Sequence, residues 1–230
     1  MHIVHGTSVS KGKASGNLLF IDSENYTIPR TNASDIELEL QRFQRARADA
    51  MNQLQSVYER ALHKVGESDA KIFVIQQMMI HEHGFTNSVR EMIKDENVSA
   101  QYAVSTVAES HVKMLESTGD EYMQARKADV WDLSRRVIRI LTKRSGFKSP
   151  SGKNIIIYKH SFTPSEIIEL DRSSIAATIT YKGSLHSHSA ILARAMKLPG
   201  ITEISEDIFK FDGKKTTVDA DSGKISIETK

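Results

Sequence analysis

Hydrophobic residues recur at helical spacing through the middle of the chain. After the capping-box pattern Ser34-Asp-Ile-Glu37, apolar residues return at steps of three and four, with Arg47 as the one polar member of the series. The series consists of Ile36, Leu40, Phe43, Ala50, Leu54, Val57 and Ala61. It predicts a helix of about thirty residues, roughly 45 Å long. A helix of this length needs other helices to cover its apolar stripe.

Further helical segments are predicted at 69–82, 86–95, 99–116 and 120–143. They lie in a stretch, residues 34–144, that contains no proline. The last segment has an apolar face made of Tyr122, Ala125, Val130, Leu133, Val137, Ile140 and Leu141. Consecutive helices with short connections predict a bundle of antiparallel helical hairpins.

Short apolar runs bounded by turn residues flank this stretch, and such runs are typical of buried strands. The predicted strands are Ile3–Val4, Leu18–Ile21, Ile155–Tyr158, Ile175–Thr180, Thr216–Ala220 and Ile225–Glu228, with Asp221-Ser222-Gly223 as a hairpin turn and helices at Pro164–Leu170 and Ser187–Met196. Because the N-terminal strands are too few to fold alone, we expect residues 1–30 and 145–230 to form one α/β unit. Residues 31–144 would then be a helical bundle inserted into it.

Composition narrows the classes of function. The chain has no cysteine, which excludes a disulfide framework, thiolate metal sites and a cysteine nucleophile. The net charge of +2 is too small to indicate nucleic acid as a partner by itself. No stretch approaches the roughly 18 apolar residues of a membrane span, and the N-terminus lacks the apolar centre of a signal peptide. We therefore expect a cytoplasmic protein without a membrane or nucleic-acid partner.

Two histidines stand one residue apart in the sequence GSLHSHSAILAR, Gly183 to Arg194. Ser187 or Ser189 can cap the helix that follows, which places His188 at a helix N-terminus. Free backbone N–H groups and the positive end of the helix dipole favour an anion there and disfavour a positively charged ring. A neutral ring has a nucleophilic nitrogen, so a phosphoryl group on His188 is one chemistry that this pattern suits.

Other interpretations of the histidines stay open at this point. A histidine between serines is often only a polar residue of a surface loop. A metal site could use His186 with His188, or His81 with His83, but neither pair has nearby carboxylates at ligand spacing, and HEHG is not the HExxH zinc pattern. Two further alternatives concern the whole chain: a helical interaction protein without catalysis, and nucleic-acid binding through Arg135, Arg136, Arg139, Lys143, Arg144 and Lys148.

The sequence resembles a known family, the Enzyme I group of the phosphoenolpyruvate-utilising enzymes. GSLHSHSAILARAMKLPGI, residues 183–201, is similar to that group's phosphohistidine motif, with His188 at the phosphorylated position and His186 where the family has threonine. GTSVSKGKASG at 6–16, AKIF at 70–73, IKDE at 93–96, DEYMQARKADVWD at 120–132 and TPSE at 163–166 follow in matching order.

The resemblance implies a fold, a reaction and a partner. The fold is an α/β phosphohistidine subdomain, the swivelling part of these enzymes, with an inserted all-α helical subdomain. His188 accepts a phosphoryl group from phosphoenolpyruvate through Nε2 and passes it to a histidine of the small carrier HPr. The implied supporting residues are Gly183, Ser184, His186, Ser187, Ser189 and Arg194. No cofactor is implied on this chain, because phosphoenolpyruvate and Mg²⁺ bind a separate C-terminal barrel domain in this family.

The resemblance also implies that the carrier docks on the helical part. By position, the docking residues are Glu67, Asp69, Met78, Met79, Glu82, Leu115, Tyr122, Met123 and Arg126. A methionine at such a position suits either an adaptable interface or the bundle core. The alternative is a related module of another relay, which passes phosphoryl groups to a dihydroxyacetone kinase or within a regulatory nitrogen system, and the partner alone distinguishes these relays.

Three features depart from the family pattern. The barrel domain is absent from the 230 residues, so we expect this chain alone to exchange phosphoryl groups only with a phosphorylated carrier. Ile167 stands where a threonine hydroxyl is common near the active histidine, and His186 could supply a substitute polar group. His81-Glu82-His83-Gly84 replaces a more acidic turn, which suggests either an unusual carrier or docking that weakens above the histidine pKa.

Overall fold

The computed structural model describes residues 1–21, 27–81 and 83–229. Two compact units are present. One consists of Met1–Asn25 and Phe147–Lys230, and the other of Tyr26–Gly146. The first unit is built on a sheet with two helices and the second is helical, so the predicted fold class is confirmed. The unit boundaries, 25/26 and 146/147, lie within five residues of the boundaries 30/31 and 144/145 that we expected.

An eight-stranded sheet forms the frame of the α/β unit. Its strands are β1 (His2–His5), β2 (Thr7–Ser10), β3 (Lys13–Phe20), β4 (Ile155–Lys159), β5 (Ile175–Thr180), β6 (Gly200–Thr202), β7 (Lys215–Asp219) and β8 (Lys224–Ile227). Their order is β1-β8-β7-β3-β4-β5-β6-β2, with β3 to β6 parallel and the other pairs antiparallel. The central β4 is buried along almost its whole length, whereas β7 and β8 alternate buried and more exposed residues.

The two ends of this sheet meet at Gly6. β1 and β2 lie at opposite ends of the strand order, yet Gly6 alone connects them in the chain. Because one residue spans only about 3.8 Å between Cα atoms, the sheet must curl until its ends are adjacent. A Cβ atom at Gly6 would lie 2.7 Å from both Ile201 Cγ2 and the Thr202 carbonyl oxygen, so closure requires a glycine here. The enclosed core includes Leu18, Ile156, Tyr158, Ile179, Val218, Ile225 and Ile227.

Six helices form the second unit within the described residues. They are α1 (Ile36–Val65), α2 (Glu67–His81), α3 (His83–Asp95), α4 (Ala100–Ser117), α5 (Glu121–Ala125) and α6 (Lys127–Leu141). In the α/β unit, α7 (Pro164–Glu169) and α8 (His188–Ala195) pack on each other. No helix of the described residues combines the length and the apolar character that crossing a membrane requires.

The apolar stripe of α1 differs from the prediction at its start. Ile36 is 36% exposed, and Glu39 is buried instead, at 7% exposure. The Glu39 carboxylate accepts hydrogen bonds from Arg42 Nη1 and from the backbone N–H of Ala100, so it is satisfied inside the bundle. Hydrophobic periodicity does not detect a buried residue that is polar. Farther along, Ala46 takes the buried position next to Arg47, and Phe43, Ala50, Leu54, Val57 and Ala61 are buried as predicted.

The predicted helix 120–143 is divided in two at Arg126. The backbone N–H of Arg126 donates to the Met123 carbonyl, and that of Asp129 donates to the Arg126 carbonyl. These bonds span three residues, so the chain tightens locally into 3₁₀ geometry. The sequence carries no glycine or proline here, and the break therefore leaves no local signal.

Candidate functional site

The His-Ser-His sequence lies where the loop between β5 and α8 ends. His186 and Ser187 belong to this loop, residues 181–187, which we call the His188 loop because it leads into His188, the first residue of α8. Side chains within the loop fix its course. Ser184 Oγ accepts the backbone N–H of His186 at 3.1 Å, and the Ser187 hydroxyl donates to the Ser184 carbonyl at 2.8 Å. Ser187 Oγ also accepts the backbone N–H of Ala190 at 3.2 Å. Of the two candidate caps, Ser187 is thus the N-cap residue of α8.

His188 is the first residue of α8 and is partly exposed. The first backbone N–H groups of a helix have no carbonyl partner within the helix, and the positive end of the dipole lies there. An anion attached to the His188 ring would therefore lie in a favourable field. His186 immediately precedes the cap and is exposed.

The turn before the histidines depends on a close approach at Gly183. A Cβ atom at Gly183 would overlap the Thr202 hydroxyl oxygen. Thr202 is 2% exposed, and its hydroxyl accepts from the Thr180 hydroxyl at 2.8 Å. Thr202 is a supporting residue that the sequence did not reveal, because β6 is only three residues long and has no clear strand pattern.

Two further predicted residues, Ser189 and Arg194, tie the loop and helix to their surroundings. The buried Ser189 hydroxyl donates to the Phe162 carbonyl at 2.8 Å. The Arg194 guanidinium donates through Nη2 to the Leu185 carbonyl at 3.0 Å and through Nη1 to the Val9 carbonyl at 3.4 Å. Arg194 thus links the His188 loop to β2. The six predicted supporting residues all lie within the loop or in α8.

The TPSE sequence begins α7 and presents an apolar residue where the family commonly has a hydroxyl. Thr163 Oγ1 accepts the backbone N–H of Glu166, and Glu166 accepts the backbone N–H of Thr163 in return, which forms a capping box. Ile167 follows in α7 and is 2% exposed. Its side chain cannot donate a hydrogen bond to any histidine. Glu166 also forms an ion pair with Lys159, a buried lysine that no sequence pattern indicated.

The positions of the described residues bear on two of the alternatives. Among the side chains that the structure describes, which do not include those of His81 and His83, no three His, Asp or Glu residues form a group that could hold a metal ion. In the basic series proposed for nucleic acid, Arg136 is only 4% exposed. It donates to Gln53 Oε1 at 3.1 Å and lies 3.9 Å from the buried Asp132 carboxylate, so it belongs to the bundle interior.

The predicted docking residues that the structure describes lie on helices of the second unit, except Arg126, which lies between α5 and α6. Glu67 and Asp69 are in the first turn of α2, where Glu67 lies 3.6 Å from Lys71. Met78 is 59% exposed, and Met79, Leu115, Met123 and Arg126 are partly exposed. None of the three predicted methionines is therefore buried in the core. Tyr122 belongs to α5, and Glu82 lies outside the described residues.

The structure adds two exposed apolar residues to this unit. Met114 on α4 is 59% exposed and Ile75 on α2 is 36% exposed. Ile75 and Met78 are three residues apart and lie on one face of α2. No sequence signal separates them from core residues, since apolar residues at helical spacing normally indicate burial.

Comparison with known proteins places this arrangement in a family. The family model described as "PEP-utilising enzyme, N-terminal" matches residues 5–126, and that described as "PEP-utilising enzyme, mobile domain" matches residues 152–223. A phosphoenolpyruvate-protein phosphotransferase of Bacillus sp. (strain S) is 30% identical over 200 residues, which is 86% of this chain and 34% of the relative. That of Bacillus subtilis (strain 168) is 29% identical over 99% of this chain and 40% of the relative. The chain thus spans 34–40% of the length of these two curated relatives.

Solved structures share the fold over nearly the whole chain. An NMR solution structure of Enzyme I superimposes with a TM-score of 0.75 at 26% identity, covering 99% of this chain and 93% of that one. The N-terminal domain of "Enzyme 1 - Nitrogen" gives a TM-score of 0.64 at 18% identity, covering 97% and 93%, which is a likeness of fold.

Proposed function

The chain belongs to the PEP-utilising enzymes, and from this membership we propose that it is the phosphohistidine-bearing part of a phosphoenolpyruvate–protein phosphotransferase. His188 takes up the phosphoryl group and transfers it to a histidine on an HPr-type carrier. The observation that carries the proposal is the position of His188 as the first residue of a serine-capped helix, in the segment that matches the family's mobile domain.

Phosphoryl transfer between two histidines depends mainly on the positions of the two imidazole rings, and it needs no further reactive side chain. In exchange with a phosphorylated carrier, the lone pair of His188 Nε2 attacks phosphorus, and the P–N bond to the carrier histidine breaks. The carrier imidazole takes back the electron pair, so no other reactant is consumed. Charge on the transferred group is stabilised by the N–H groups and dipole at the start of α8, while the capped loop holds the ring in line.

The residues around His188 have different roles in positioning it. Ser187 and Ser184 fix the course of the loop, and Gly183 lets it pass close to Thr202. Arg194 holds the loop from α8 through the Leu185 carbonyl. The hydroxyls of Ser184, Ser187 and Ser189 are all engaged with backbone groups, so in this arrangement their role is to shape the site.

The other components of the reaction lie elsewhere. We expect phosphoenolpyruvate and Mg²⁺ to bind a C-terminal domain if this sequence belongs to a longer chain, and no cofactor to bind here. The carrier docks on the helical unit through the partly exposed residues of α2, α4 and α5, including Met78. A cytoplasmic location follows from the same proposal, because the carrier and phosphoenolpyruvate are cytoplasmic.

Phosphorylation of the purified chain by a phosphorylated carrier tests the proposal. The chain is incubated with phosphorylated HPr and analysed by intact mass at neutral pH, beside His188→Ala and, as a matched control, His63→Ala, which removes an exposed histidine of α1. We expect one acid-labile phosphoryl group on the parent chain and on the control, and none on His188→Ala. Labelling of His188→Ala to the same extent would refute the assignment.

Other carriers distinguish the sugar phosphotransferase system from its alternatives. The same reaction is run with the phosphorylated carrier of a dihydroxyacetone-kinase relay and with that of a regulatory nitrogen system. Labelling that is fastest with HPr would support the sugar phosphotransferase system, and labelling that is fastest with one of the other carriers would support the module of that relay. If no carrier labels a folded chain, the proposed function is wrong.

A further inference from the structure

A buried ion pair lies beside the His188 loop, and the proposed chemistry does not use it. Lys159 Nζ is 2.6 Å from Glu166 Oε1, and the two side chains are 2% and 8% exposed. The other oxygen of the carboxylate accepts the backbone N–H of Thr163 at 2.9 Å, within the capping box of α7. One ammonium group therefore connects the end of β4 to the first turn of α7.

Stability alone does not explain a pair of this kind. Removing two charges from water costs free energy that their attraction often fails to offset, and apolar replacements are frequently as stable. The geometry that the pair fixes is the better explanation. Lys159 Nζ lies 5.4 Å from the ring centroid of Phe162 and 5.3 Å from that of Phe147, both within cation–π range. The pair thus fixes Phe162 in the connection between β4 and α7, which the ion pair bridges.

The segment from Lys159 to Phe162, which we call the support segment, holds the start of the His188 loop. The backbone N–H of Tyr181 donates to the Lys159 carbonyl at 3.1 Å, and that of Lys182 donates to the His160 carbonyl at 2.9 Å. These two bonds extend the pairing of β4 with β5 into the loop. The loop therefore leaves the sheet at a point that the support segment determines.

The support segment also holds the residue that follows the histidine. The Ser189 hydroxyl, in a side chain that is buried, donates to the Phe162 carbonyl at 2.8 Å. Ser189 is adjacent to His188 in the first turn of α8. A shift of the support segment would therefore displace residues on both sides of His188 in the chain, namely Lys182 before it and Ser189 after it.

We propose that the Lys159–Glu166 pair is a positioning element that holds the His188 loop and the first turn of α8 in place for phosphoryl transfer. Its kinetic consequence rests on the function proposed above, whereas its effect on the loop does not. Lys159 acts through Phe162 and the backbone, without touching the phosphoryl group.

The experiment compares the parent chain with Lys159→Met and with the double variant Lys159→Met/Glu166→Gln. The double variant leaves no unpaired buried charge and keeps an acceptor for the Thr163 N–H, so it is the one expected to fold if the single variant does not. Lys13→Met is the matched control, because Lys13 pairs with Asp219 at 2.9 Å in the same unit, where β3 pairs with β7. Two properties are measured: amide hydrogen exchange, and the single-turnover rate of phosphoryl transfer over a range of carrier concentrations. Because each chain takes up one phosphoryl group, kcat here denotes the limiting rate constant of labelling and KM the carrier concentration that gives half of it.

We expect exchange to accelerate at the Tyr181 and Lys182 amides, while the amides between β7 and β8 stay unchanged. The kcat should fall roughly 10-fold or more, since misplacement of a reacting group by about 1 Å can cost up to about 100-fold. The KM should stay constant, because the proposed docking residues belong to the helical unit. Adding Ser189→Ala to the double variant should cost no further activity, since both changes interrupt one path.

The results that would overturn the proposal are equally specific. Unchanged exchange at Tyr181 and Lys182 would show that the pair does not hold the loop. Acceleration throughout the α/β unit would show general destabilisation, and an unchanged kcat with a loosened loop would show that the position of the loop does not limit transfer. If the parent chain takes up no phosphoryl group, the proposed function fails, and amide exchange alone decides whether the pair holds the loop.

Discussion

Gly183 is the clearest case of one residue shaping the site. A side chain there would overlap the buried Thr202 hydroxyl, so Gly183→Ala must displace the turn or β6. We expect the free energy of unfolding of the α/β unit to fall by roughly 1–3 kcal/mol and the labelling of His188 to slow. The measurements are denaturant unfolding and the rate of phosphorylation by the carrier.

Gly84→Ala is the matched control for this change. A Cβ atom at Gly84 meets nothing within 4 Å, and the residue is part of α3. That substitution should leave stability unchanged or slightly increased. Equal effects of the two substitutions would contradict the close approach at Gly183.

The sequence indicated the local structure around the histidines better than the residues from other strands that support it. His188 and the cap at Ser187 follow from local rules, because capping depends on residues close together in the chain. Lys159 and Thr202 act on the loop from other strands, and their contacts depend on strand pairing. From sequence, a lysine at the end of an apolar run is predicted to be exposed, whereas Lys159 is 2% exposed.

Among elements, the start of α4 depends on a carboxylate from another helix. Ser99 at the N-cap position makes no side-chain cap, and Glu39 of α1 accepts the Ala100 N–H at 2.7 Å instead. Glu39→Ala leaves that buried N–H without a partner, so we expect a loss of about 1–3 kcal/mol in the free energy of unfolding of the helical unit. Glu37→Ala, in the same turn of α1 but exposed, should change it by less than about 0.5 kcal/mol. Chemical denaturation of the three proteins measures this, and equal stabilities would reject the role of Glu39.

The pairing of β3 with β7 carries a pH-dependent contact. A hydrogen bond from Lys13 holds the pKa of Asp219 below its ordinary value of 3.8, and Asp219 in turn raises the pKa of Lys13 above 10.5. A lowered carboxyl pKa stabilises the fold above the unfolded value and loses this effect as pH falls through the folded value. The thermal midpoint of Lys13→Met should therefore lie slightly below that of the parent at pH 7. The gap should narrow as the pH falls below 3.8 and close once the pH is below the lowered pKa of Asp219 in the folded state. A gap that is constant from pH 7 to pH 2 would contradict this origin.

Element prediction succeeded where burial follows a regular period. The period of α1 and the apolar run of β4 each indicate one element, and the structure contains both. The three-residue β6 and the break at Arg126 have no such signal, since pairing and local backbone hydrogen bonds determine them. Residues 7–17 lie outside the predicted strands Ile3–Val4 and Leu18–Ile21 but include β2 and the first half of β3, because neighbouring strands supply their partners.

At the scale of the whole molecule, we propose that docking and chemistry belong to different units. Met78→Lys places a charge on an exposed apolar position of α2, so we expect the KM for the phosphorylated carrier to rise several-fold while kcat is retained. Leu38→Lys is the matched control, since Leu38 is 49% exposed on α1 and is not among the docking residues. Single-turnover labelling at a range of carrier concentrations measures both constants. An equal rise in KM for the two variants would contradict docking at Met78.

The central claim is that His188, and not His186, bears the phosphoryl group. Peptide mapping of the labelled chain at neutral pH, on the parent, His186→Ala and His188→Ala, tests this claim most directly. We predict that the parent chain carries the phosphoryl group on His188 and that His188→Ala carries none. His186→Ala should carry it on His188 as well but should be labelled more slowly. A phosphoryl group on His186, or full labelling after loss of His188, would contradict the account.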